Sequence, residues 1–151
     1  VTVATSKGKV VKANLFTLCQ TLFPPPVLVS YGLPATDQPN DIVAICEAGT
    51  ADTMRANQEA KTYGPRTREE TTFVSILISS WRGTMDQQIV SELVFDAMAT
   101  LENSLRTDPT IAGAVREANI DSWELTETDF NDLPAGRYAE ISVIVRARHR
   151  I

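Results

Sequence analysis

The sequence has 151 residues, a formal net charge of −5, 43% apolar residues and 22% charged residues. That length suits one domain, 1–151, with a real core, and the composition sits near the globular average, which excludes a largely disordered chain. The mild acidic balance argues against broad binding to nucleic acid or to an anionic membrane surface. No apolar run has the length of a membrane span. Val1 to Val11 carries lysines but no apolar h-region, so no secretory signal is expected. Cys19 and Cys46 sit in apolar surroundings without a CxxC spacing, and free buried thiols made in a reducing cytoplasm are expected rather than a disulfide.

The first element reads as a helix. Val11, Leu15, Leu18 and Leu22 recur at three- and four-residue spacing beside Cys19, and Thr5 or Ser6 is placed to cap its start. Pro24-Pro25-Pro26 ends it, because proline lacks the amide donor and disfavours helix in the preceding residue. Val27 to Tyr31 reads as a strand, Gly32-Leu33-Pro34 as a turn, and Asp41 to Glu47 as a second strand. Residues 49–65 are polar without a clean period and read as a long loop, either functional or a tolerated insertion. Arg68 to Trp81 then reads as a long strand whose polar start passes into Phe73-Val74-Ser75-Ile76-Leu77-Ile78.

The clearest helix follows, with one stripe of Val90, Val94, Ala97, Met98, Leu101 and Leu105. Thr84 and Gln87 have capping-box spacing ahead of it, and Arg106 near its end suits the helix dipole. Asp108-Pro109 reads as a second helix start, opening a short helix through about Val115. Ile120 to Thr128 and Tyr138 to His149 read as strands joined by a turn at 131–136. The last alternates strictly, Ala139, Ile141, Val143, Val145 and Ala147 against Tyr138, Glu140, Ser142, Arg146 and Arg148. The expected class is α+β, a mostly antiparallel sheet of about five strands with helices packed on one face and charged and hydroxyl side chains on the other.

No catalytic constellation emerges, so no enzyme, cofactor or metal is expected. His149 is the one histidine and, three residues from the end, reads as solvated; no second ligand stands near it for zinc. Glu69 and Glu70 are adjacent on a strand and point to opposite faces, so they form no dyad. The acidic stretch from Asp121 to Asp132 lacks the glycine-punctuated spacing of a calcium loop. P-loop, GxGxxG and GxSxG patterns are absent.

Charge is segregated. Lys7, Lys9 and Lys12 make the first helix basic, Arg146, Arg148 and Arg150 make the chain end basic, and 121–132 is acidic. Two accounts fit, neutralisation across the last hairpin or a head-to-tail contact between subunits. The candidate interface residues are Arg55, Lys61 and Arg66 around the polar loop and Arg68, Glu69 and Glu70 at the start of the long strand. Glu124, Glu127 and Asp129 join them from the acidic stretch, and Arg146 and Arg148 from the last strand.

TREETTFVSILIS (67–79), the amphipathic helix after it, LRTDPTIAGAV (105–115) and GRYAEISVIVRARHRI (136–151) resemble tail terminator proteins of long-tailed, siphovirus-type bacteriophages, particularly of actinobacterial hosts. VLVSYGLP (27–34) and DIVAI (41–45) match more loosely. The resemblance implies a sandwich like that of tail tube subunits, a homohexameric ring at the head-proximal end of the tail tube, and a virion protein assembled in the host cytoplasm. The implied partners are further copies of the chain, the tail tube protein and the neck, head-completion or connector proteins. DNA would pass through the lumen without specific binding, and no membrane is involved. The rival readings are another neck, head-completion or tail tube subunit and, more distantly, a small enzyme or ligand-binding domain.

Overall fold

Three long strands organise the molecule: β4 (Arg68–Arg82), β5 (Glu117–Phe130) and β6 (Gly136–Arg150). The computed structural model describes residues 6–32, 39–45, 54–60, 68–83, 86–130 and 136–151. The remaining elements are α1 (Gly8–Leu22), β1 (Leu28–Ser30), β2 (Asp41–Ile45), β3 (Met54–Ala60) and α2 (Gln87–Thr107). The strands form one six-stranded sheet in the order β1-β2-β4-β6-β5, with β3 paired to β4 beside β2. Every pairing is antiparallel except β1 with β2. The class is therefore the expected α+β.

Side-chain alternation decides which face is buried. On β6, Ala139, Ile141, Val143, Val145 and Ala147 are fully buried and meet Val74, Ile76 and Ile78 of β4. Both helices lie on that face. α2 seals it with Val90, Val94, Leu101 and Leu105, and α1 with Val11, Leu15 and Cys19. Each such aliphatic side chain contributes about 1.5–3 kcal/mol when removed from water. Gly136, at the start of β6, lies against the Trp81 ring, because a Cβ there would stand 2.5 Å from Nε1 of Trp81. At the same end, Arg82 grips Asp41 with two hydrogen bonds of 2.8 and 2.9 Å, and Ser80 Oγ donates a third to Asp41, tying β2 to β4.

Several expectations need correction. The segment 49–65 is not a loop throughout, because β3 lies within it and pairs residue by residue with the polar start of β4, from Met54 opposite Val74 to Ala60 opposite Arg68. Residues 56–59 are exposed, so no hydrophobic alternation marks the strand, which is the sixth of the sheet among the described residues. The short helix from Asp108 does not form. Asp108 closes α2, and its carboxylate instead accepts from the backbone N–H groups of Thr110 and Ala112, an Asx-type turn that competes with a helix start. Ile111, Ala112 and Gly113 all take positive φ there (49°, 55° and 81°).

α2 is capped by Asp86, which accepts from the N–H of Ile89 (3.1 Å). The expected cap residue Thr84 and the turn at 131–135 lie outside the described residues, as does Cys46. Cys19 is fully buried, and burial pushes its thiol pKa up to about 12. The sheet face away from the helices is less polar than expected. Ile42 and Ala44 are buried there and Phe73, Leu77 and Ile144 half-buried, among Ser75, Ser79 and Ser142.

Candidate interaction surface

The structure gathers part of the expected interface set at one end of β4 and β6, and there the residues mostly neutralise one another. Glu69 and Glu70 do point to opposite faces. On the uncovered face, Arg148 donates to Glu69 at 2.8 and 3.2 Å and to Glu117 at 2.9 Å, while Arg116 stands 3.6 Å from Glu69. Glu69 is the first cause of a raised Arg148 pKa.

On the helical face, Glu70 is fully buried and accepts four hydrogen bonds. They come from Ser6 Oγ (3.0 Å), the Lys7 backbone N–H (3.0 Å), Gln58 Nε2 (2.7 Å) and His149 Nε2 (2.6 Å). His149 is thus not solvated but 1% exposed. Its register partner across β4 and β6 is Glu70, 79 positions away in sequence, which a reading of the chain end alone does not reveal. Burial raises the Glu70 pKa, but the donors, Gln58 and His149 foremost, outweigh it, so the net shift is downward. The cluster ties the start of α1, β3, β4 and β6 together, and sequence reasoning missed it as a unit.

The other expected residues scatter. Arg68 is exposed, and its backbone exchanges hydrogen bonds with Ile151. Arg55 pairs through its backbone with Phe73, and Asp129 with Arg137. Lys61 and Arg66 lie outside the described residues. Arg146 lines a cleft of about 420 Å³ beside Arg106, Glu117 and Asn119. There Arg106 is paired with Glu102 and Glu117 with Arg148, so the cleft holds compensated ion pairs rather than a set of convergent reactive groups.

Two flanks carry exposed charge that makes no ion pair among the described residues. β5 is the outermost strand on one side of the sheet and bends at a bulge between Ile120 and Ser122. Asp121 and Glu124 are exposed on it and make no ion pair among the described residues, whereas Glu127 accepts from Ser91 Oγ of α2 at 2.6 Å. Between the first two, Trp123 is 50% exposed and packs edge-on against Phe95 of α2 (5.3 Å). The opposite flank is built from α1 and β1. Lys9 is exposed, and the ammonium of Lys12 lies 4.1 Å over the ring of Tyr31, a cation–π contact. Tyr31 is 44% exposed and itself stands edge-on to Phe16 (5.4 Å).

Among the described residues no group of three or more His, Cys, Asp or Glu side chains is placed to hold a metal ion, and no helix is long and apolar enough to cross a membrane. No protein-family model matches the chain, and no curated protein matches it in sequence.

Proposed function

We propose that the chain is a structural virion subunit that forms a ring on the head-proximal end of a phage tail tube, ending tube polymerisation and joining the tail to the neck. One observation carries this reading: β4, β6 and β5 make a broad sheet whose second face no described helix covers. Strands of 14 and 15 residues run roughly 45–50 Å at about 3.3 Å per residue. The 21-residue α2 covers only about 32 Å on the other side. The exposed part of that face mixes hydroxyls and carboxylates, Ser142, Thr126, Glu124 and Glu140, with half-buried apolar side chains, and Arg148 on it is already paired with Glu69 and Glu117. Such a face suits the wall of a channel, since carboxylates repel passing phosphates and the DNA does not stick. The α+β architecture also agrees with the resemblance carried by residues 67–79, 105–115 and 136–151.

The direct test is to add the purified chain to polymerising tail tube subunits and measure tube lengths by negative-stain microscopy. A terminator caps one end and shortens the tubes. Unchanged lengths would contradict the role, and growth of long cylinders from this chain alone would make it a tube subunit instead.

A further inference from the structure

The cleft of about 420 Å³ lies along the start of β5 and wraps its edge. β5 is the outermost strand there, and it carries its bulge, between Ile120 and Ser122, beside the cleft. Leu105 and Pro109, from the end of α2 and the turn after it, give the cleft apolar walls together with Ala118 and Ile120 of β5. Arg146 and Asn119, register partners on β6 and β5, add polar donors to the same lining. The volume is within the range of sites that hold small ligands or single side chains.

Charge in the cleft is matched except at one residue. Glu102 is held by Arg106 at 2.8 Å and Glu117 by Arg148 at 2.9 Å. Arg146 is half-buried, and its guanidinium makes no ion pair or hydrogen bond among the described residues. Its cross-strand partners are Phe73 of β4 and Asn119 of β5, neither of them acidic. Glu117, diagonal to it, stands opposite Arg148 and is bonded there. A cation drawn partly out of water without a partner loses hydration that nothing in the chain returns. A planar guanidinium recovers it best from a carboxylate, which it can hold with two parallel hydrogen bonds.

We propose that the cleft is a docking site for an acidic side chain, Asp or Glu, on an extended segment of another protein chain. Its carboxylate pairs with Arg146, and its apolar neighbours rest on Leu105, Pro109 and Ile120. One unpaired cation matches one carboxylate, whereas nucleic acid needs several free cations along its backbone. The apolar walls call for an apolar stem, which inorganic phosphate lacks. The outer edge of β5 pairs with no described strand, so an extended segment can run along it as one more strand. This site goes beyond the ring reading and does not depend on it.

Two blocked peptides, TVEVT and its neutral counterpart TVQVT, test the site by titration into the isotope-labelled full chain, followed by nuclear magnetic resonance. The Glu peptide is expected to shift the amide signals of Asn119 and Ile120 and the Nε signal of Arg146, and to bind about tenfold more tightly than the Gln peptide, as a charge-assisted bond should. Arg146→Gln, with its fold checked by circular dichroism, is expected to lose that preference, and Arg146→Lys to keep part of it. Sodium phosphate is expected to leave the three signals in place. Equal binding of the two peptides, shifts that fall elsewhere, or an Arg146→Gln protein that still prefers Glu would overturn the proposal. So would phosphate shifting the same signals, which would make Arg146 a general anion site. If Arg146→Gln does not fold, the two peptides on the unaltered protein decide. The ring reading stands or falls separately, on the tube-length assay.

Discussion

Glu70 shows how much one side chain holds. It is the common acceptor for donors from α1, β3 and β6, and its pKa lies below the ordinary carboxylate value because those donors outweigh the effect of burial. Removing it in Glu70→Ala leaves His149 and the Lys7 amide without their acceptor and is expected to cost about 3 kcal/mol in urea unfolding. A carboxyl whose folded pKa is depressed contributes stability that is fully present above the unfolded value of about 4.3. That stability is lost as pH falls through the folded value. The melting temperature of the unaltered protein should therefore drop steeply below about pH 4, and the drop should be shallower in Glu70→Ala. This cluster was half legible. The split of Glu69 and Glu70 across the sheet follows from strand alternation, but the burial of His149 depends on a strand partner distant in sequence.

At the scale of elements, α2 and β6 were readable because a 3.6-residue stripe and a two-residue alternation each mark one buried face. β3 was not, since residues 56–59 are exposed, and it is held by its backbone ladder to β4, with Met54 against the core and Gln58 on Glu70, rather than by an alternating apolar face. Asp108-Pro109 misled for a different reason. The same aspartate that caps a helix can satisfy a turn, and here it holds the N–H groups of Thr110 and Ala112 in a bend with three positive φ angles. Gly113→Ala distinguishes the two structures by sign. In a helix the change would stabilise by about 1 kcal/mol. At a φ of 81° it is expected to destabilise by about that amount or more, read from the urea midpoint.

For the whole molecule, the notable asymmetry is between its two flanks and its two faces. One face is sealed by α1 and α2, the other carries long strands without helical cover, and the acidic β5 edge lies across the sheet from the basic α1–β1 flank. The segregation of charge was legible in the sequence. Its meaning was not, because only the register shows that Arg148 is spent internally.

The most direct measurement is the mass of the purified protein in solution by light scattering, with negative-stain images of the same sample. A closed ring with a single discrete mass, six times the 16.6 kDa of one chain, is the result expected. A single chain that stays at 16.6 kDa at every concentration tested would contradict it.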